Sequence, residues 1–323
     1  MRGKCEEKVY GRSCLCYREH SRIVKGKQDV SWPALWAVIF WGVSFIATKV
    51  ALQEVHPCSL LAMRFGIGAC LLLFFQFRKE PGFLRAFSSR DWVSIVFLAI
   101  VGIAGHNLLQ AYGLLSTTAI NTGWIVAIQP IFIALSARLF LREAITWRKA
   151  AGIALGFTGI ILIISRGVFS LSLFRVAATL GDLLVLCSAL TWAAFTVGGR
   201  GFLSRFSPLA AIAPIMAVGC LLTFLFSNVR GEWSFIRHLS VNAWMGILFL
   251  GIFCSGLAYF FWYSALEKKD SSLIGMYLYL EPFVTLIGAA VLLNEPVKGI
   301  TLLGGSMTLF GVYLATWKGR KKS

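Results

Sequence analysis

Acidic side chains are scarce: 14 Asp and Glu stand in a chain of 323 residues, against 31 Lys and Arg. Charged residues of both signs make up 14% of the sequence, where a water-soluble domain carries about 25%. So little charge cannot cover a water-exposed surface, which excludes a soluble globular fold. Chemistry-bearing motifs are missing as well. No P-loop is present, which argues against a nucleotide-driven pump. There is no His-Glu-x-x-His, no Gly-x-Ser-x-Gly and no carboxylate pair on one helix face, so nothing supports a hydrolase. An enzyme is not expected, and neither a cofactor nor a metal. Cys5, Cys14, Cys16 and His20 have no zinc-site spacing. Cys70, Cys187, Cys220 and Cys254 lie in apolar runs, where a thiol behaves as a small hydrophobe. A cleavable leader is not expected: the first apolar run begins at Trp32, is too long for a leader's core and lacks a small-residue cleavage site.

What is present is apolar. Hydrophobic residues make up 58% of the chain and the mean hydropathy is +0.76. They fall into runs at 32–54, 57–77, 91–115, 117–141, 147–166, 178–200, 207–227, 242–266, 270–294 and 297–317. A run of about 20 residues spans the hydrocarbon core as a helix at 1.5 Å per residue. Barrel strands are about half that length and alternate in polarity, so these runs predict helices. With the N-terminus cytoplasmic, 24 Lys and Arg fall on the cytoplasmic side and 5 on the other. That bias predicts cytoplasmic termini in the cell membrane. It also accounts for the net charge of +17 without a nucleic-acid partner. Membrane lipids and a small-molecule substrate are the partners expected.

The chain repeats itself. Trp41 matches Trp192, Pro57 matches Pro208 and Tyr112 matches Tyr263, each 151 residues apart. Pro130 matches Pro282, Glu143 matches Glu295, Gly152 matches Gly304 and Gly159 matches Gly311, each 152 apart. Five spans per copy is an odd number, so the second copy enters the membrane from the opposite side. The fold class expected is an all-α polytopic membrane protein with ten transmembrane helices in two inverted-topology five-helix repeats. Residues 32–166 and 178–317 form the repeats, joined by a linker at 167–177. Residues 1–31 and 318–323 are basic cytoplasmic tails, the first of them flexible. Inverted repeats are a means of alternating access in secondary transporters.

A proline followed thirteen residues later by glutamate, then by Gly-x6-Gly, occurs twice in register. With Arg64-Phe65 and Gly181-Asp182, this resembles the EamA-type modules of the drug/metabolite transporter superfamily. The resemblance covers residues 32–317 and implies a ten-helix exporter of small metabolites, commonly amino acids or related compounds, in the cytoplasmic membrane. An exporter of cationic drugs coupled to protons is the alternative, and a non-transporting scaffold or receptor a more remote one.

Polar groups near the bilayer midplane are costly to keep and mark candidate function. Glu281, before Pro282, is a candidate for proton coupling and substrate contact, with Gln129, before Pro130, as its non-titrating counterpart. The two prolines each remove a helical hydrogen bond and predict matched kinks. His106 and Gln110 share a helix face with Asn107 nearby, and Tyr259 and Tyr263 share a face of the matching span. Trp41 and Trp192 lie mid-span, where an indole N–H needs a partner, with Ser44 and Thr196 beside them. These nine residues — Trp41, Ser44, His106, Gln110, Trp192, Thr196, Tyr259, Tyr263 and Glu281 — are the candidate substrate-binding set. Lys49 and Arg64 read as snorkelling cations near span ends, with contact to a substrate carboxylate as the alternative, and Glu143 and Glu295 read as ion-pair partners there. The glycines of the fifth and tenth spans predict close helix packing, with a homodimer contact as one use of it.

Overall fold

The computed structural model describes residues 30–141, 147–164, 177–203, 205–229, 233, 236, 238–268, 274 and 276–316. Residues 1–29 of the first tail, the whole of the second, most of the linker and Glu143 lie outside the described residues. The chain divides after Ser31, and every helix belongs to the second unit, residues 32–323. Among the described residues there is no strand.

The helices are α1 (Trp32–Ala51), α2 (Pro57–Lys79), α3 (Ser89–Leu98), α4 (His106–Ser116), α5 (Ala119–Val126), α6 (Gln129–Leu141) and α7 (Trp147–Ile164). They continue with α8 (Ala177–Leu203), α9 (Pro208–Val229), α10 (Val241–Phe249), α11 (Tyr259–Lys268), α12 (Glu281–Leu292) and α13 (Gly299–Thr316). Wider π-helical turns, Ala99–Gly105 and Leu250–Ala258, join α3 to α4 and α10 to α11 into continuous rods. Six helical stretches are long and apolar enough to cross a membrane: Trp32–Ala51, Pro57–Lys79, Ser89–Ser116, Leu180–Gly199, Pro208–Val229 and Val241–Lys268. Shorter apolar helices lie at Ala119–Ile133, Ala150–Ile163, Tyr277–Leu292 and Gly299–Gly311. Their outer faces carry bare hydrophobes such as Phe74, Leu221, Phe226, Ile287 and Leu303. Such a surface is tolerable only against lipid. The protein is an all-helical, multi-pass membrane protein.

The matched prolines do more than kink their spans. Helix α6 begins at Gln129 and α12 at Glu281, so each proline occupies the first turn of a new helix. There its missing N–H would have had no intrahelical partner, and the ring sets the backbone for helix. A 3₁₀ turn, Met276–Leu280, precedes α12.

Glycines set the close approaches. A Cβ on Gly159 would meet the Gly304 carbonyl oxygen at 2.4 Å, and one on Gly311 the Gly152 carbonyl oxygen at 2.5 Å. The glycines of α7 and α13 thus pack these two helices on each other within one chain, which is where the faces considered for a homodimer are used. Helix α1 runs through the middle, touching α4, α5, α10, α11 and α12.

Where α1 ends, charges are paired within the protein. Lys49 Nζ lies 3.1 Å from Glu295 and donates to the Thr117 carbonyl at 2.7 Å. Glu295 also accepts from the backbone N–H groups of Ala119 and Ile120 at 2.9 and 3.0 Å, capping α5 from a distant loop. Asn294, in the left-handed region at φ 52°, ends the turn after α12 and delivers Glu295 there. Thr117 Oγ1 donates to Asp182 at the same end. The ion-pairing role expected of Glu295 is met by Lys49.

Candidate functional site

A narrow cavity of about 30 Å³ is lined by Trp41, Ser44, Phe45, Arg64, His106, Asn107, Gln110, Gln129, Trp192, Tyr259, Leu278 and Glu281. It gathers seven of the nine candidate residues. Thr196 and Tyr263 are buried but absent from the lining. Tyr263 sits one turn beyond Tyr259 on α11 and packs on Phe195, with ring centroids 6.0 Å apart.

Local sequence explains the convergence. On α1, Gly42 follows Trp41, and a Cβ there would meet Val284 at 2.7 Å and the Glu281 carbonyl oxygen at 3.0 Å. The missing side chain lets the first turn of α12 press against α1. Thr285 Oγ1 fastens that contact by donating to the Gly42 carbonyl at 2.9 Å. Glu281 is thereby held beside Trp41 and is 5% exposed. As the first residue of α12, its carboxylate lies at the positive end of that helix's dipole.

The π-helical turn serves the pocket in the same way. Such turns leave carbonyls outside the regular ladder and recur at functional sites. The Cys254 carbonyl accepts from the Trp41 indole at 3.2 Å. Trp41 then meets Trp192, Tyr259 and Trp262 at centroid distances of 5.2–5.5 Å, forming an aromatic wall. The Trp192 indole N–H has no hydrogen-bond partner among the described residues although it is buried. His106 donates through Nδ1 to the Ser188 carbonyl at 2.9 Å, which leaves Nε2 as the acceptor of the neutral ring. Its ring lies 5.0 Å from that of Trp192.

Arg64 corrects the sequence reading. It does not snorkel: it is 5% exposed and lines the pocket from α2. Its Nε donates to Ser255 Oγ at 3.0 Å, on the second π-helical turn. The approach is set by Gly68, one turn along α2, whose Cβ would collide with Ser255 Cβ at 2.7 Å. Distance from a span end, counted along the sequence, suggested an exposed cation; the close packing of α2 on the π-helical turn reverses that. Its matched position, Ile215, is apolar, so the repeat gave no hint. The signal available was the rule that a charge inside a span is functional until shown otherwise. Gln129 and Asn107, weighed only as counterpart and neighbour, also reach the pocket. No group of three or more His, Cys, Asp or Glu suited to a metal occurs among the described residues.

A buried, two-signed polar pocket inside a lipid-facing helical bundle defines a membrane transporter in architecture, and relatives by sequence carry that name. The chain belongs to the EamA-like transporter family, whose model matches residues 32–165 and again 179–317. It is similar to an uncharacterized transporter of Archaeoglobus fulgidus, 32% identical over 87% of this chain and 95% of the relative. A "probable terminal-alkyne amino-acid exporter" of Streptantibioticus cattleyicolor is 26% identical over 88% of this chain and 92% of its own length. A solved crystal structure shares the fold at TM-score 0.68 and 21% identity, covering 91% of this chain and 98% of that one.

Proposed function

We propose that the protein is a secondary-active exporter of small metabolites, amino acids or related compounds, working by alternating access across the cell membrane. The observation that carries this reading is the pocket itself. Its walls come from both matched parts of the chain: Trp41, His106 and Gln129 from the first, Trp192, Tyr259 and Glu281 from the second. Convergence of matched helices on one midplane site is the design of inverted-repeat transporters. Ten spans, in two five-helix repeats with both termini cytoplasmic, complete the reading. It is supported by the spacing of the two π-helical turns, which start 151 residues apart at Ala99 and Leu250. The helix starts at Gln129 and Glu281 are 152 apart, in step with the sequence repeat. The exporter named among the relatives supports the substrate class.

Coupling is assigned to Glu281. Without a nucleotide motif, the driving force is an ion or substrate gradient. A carboxylate that meets one side of the membrane and then the other binds and releases a proton as its surroundings change. The test is counterflow and efflux in proteoliposomes with a panel of labelled neutral amino acids, with and without a pH gradient. Wild type is expected to concentrate a panel member when the gradient is imposed, and Glu281→Gln to lose that dependence. A Gln variant that still concentrates substrate at the wild-type rate would place coupling elsewhere. Reporter fusions after Asn228 and Lys322 should read outside and inside respectively; a C-terminal reporter active outside rejects the topology.

A further inference from the structure

We infer that the pocket reads a zwitterion by its two ends, with Arg64 holding the substrate carboxylate and Glu281 the substrate ammonium. The inference rests on the transport reading above and deepens it. Both side chains are about nineteen-twentieths buried and line the same pocket. Neither is neutralised by the protein. Among the described residues Arg64 has one hydrogen-bond partner, the Ser255 hydroxyl, and no ion pair. Among those same residues Glu281 has no hydrogen-bond or ion-pair partner for its carboxylate, and the two do not pair with each other. Buried charges are ordinarily paired, because desolvation without a counter-charge is costly. A guanidinium without a counter-ion and a carboxyl group without a partner around one pocket call for a ligand that supplies both complements.

An α-amino acid does so. Its carboxylate matches the flat fork of a guanidinium, whose Nε is anchored on Ser255 while the two terminal nitrogens remain for a bidentate contact. Its ammonium completes Glu281, and the aromatic wall of Trp41, Trp192 and Tyr259 offers both π-faces to the cation and apolar surface to the side chain. A purely cationic drug would leave Arg64 unpaired and add a like charge to the pocket, so this arrangement selects against the cationic alternative.

The test uses the full chain in lipid nanodiscs and two matched series. These are leucine, leucinamide and 4-methylpentanoate, and phenylalanine, phenylalaninamide and 3-phenylpropanoate. Within each series only the charged ends change. Wild type should prefer an amino acid over either one-charge analogue by about tenfold or more, the size of one charge-assisted contact. In Arg64→Gln the preference over the amide should fall to about one while the preference over the ammonium-free acid persists. Glu281→Gln should do the converse. Arg64→Lys, charged but without the fork, should fall between. Should Arg64→Gln not be monodisperse, Ser255→Ala loosens the anchor alone and should lower the amide discrimination severalfold. Unchanged amide discrimination in a folded Arg64→Gln or Ser255→Ala variant overturns the orientation while leaving amino-acid transport intact. Wild type that moves no panel amino acid in proteoliposomes overturns the transport reading itself.

Discussion

Two charge clusters sit in the same bundle and are built in opposite ways. At the end of α1, Glu295 is met by Lys49 and by two backbone N–H groups, and Lys49 also reaches a carbonyl. In the pocket, Arg64 has one hydroxyl and Glu281 has no partner at all among the described residues. The first cluster spends its charge on holding loops to helices. The second leaves its charge for something that is not part of the chain. Burial separates the two sites only by degree, the Lys49–Glu295 pair being partly exposed and the pocket residues buried; partner inventory separates them in kind.

The comparison breaks most easily at the pocket. Arg64→Gln and Glu281→Gln should each lower substrate flux by at least about tenfold, from loss of one charge-assisted contact, with transport in proteoliposomes as the measure. Apparent stability should hardly move, because an uncompensated buried charge stabilises nothing. At the other cluster the signs reverse. Glu295→Gln should destabilise the protein by roughly 1.5–3 kcal/mol, the range for hydrogen bonds to a charged group, seen as a lower unfolding temperature with ligand binding retained. Lys49→Met should cost less, since Glu295 keeps its two backbone donors.

How much of this was legible beforehand divides along the same line. The helices announced themselves through run length, and the pocket's aromatic and amide residues through their midplane depth and the repeat. Thr196 and Tyr263 fell outside the pocket because helical periodicity says which face a residue shares, not how far along that face a cavity extends. Arg64 was misread because its fate depends on Gly68 and Ser255, residues 187 positions apart. The breaks before Gln129 and Glu281 read as kinks, because proline in a sequence marks a disturbance without saying whether the helix continues across it.

The α7–α13 pair supplies a third region for contrast, one with neither free nor paired charge at its contact. Gly159→Ala places a methyl group 2.4 Å from a backbone oxygen and should cost about 1–3 kcal/mol by forcing the helices apart. Thermal unfolding should register that loss without a change in ligand discrimination. The smallest effect is expected at Glu54, in the loop after α1. Its carboxylate accepts from the hydroxyl and backbone N–H of Ser240 at 2.5 and 2.7 Å, which hold it below the usual carboxylate range. A lowered folded-state value means that its contribution is present above the ordinary value of 4.5 and is lost as pH falls through the folded one. Glu54→Gln should flatten the acid limb of the stability profile slightly and leave neutral pH almost untouched.

The central claim, that Arg64 carries charge for a ligand and Glu295 carries charge for the fold, meets its most direct test in one thermal-unfolding experiment. Wild type, Arg64→Gln and Glu295→Gln are each melted with and without the panel amino acid that wild type binds best. The account predicts that Glu295→Gln melts lower yet is still raised by ligand, while Arg64→Gln melts no lower than wild type and loses the ligand-induced rise. An Arg64→Gln protein that melts as low as Glu295→Gln and keeps the full ligand-induced rise would contradict it.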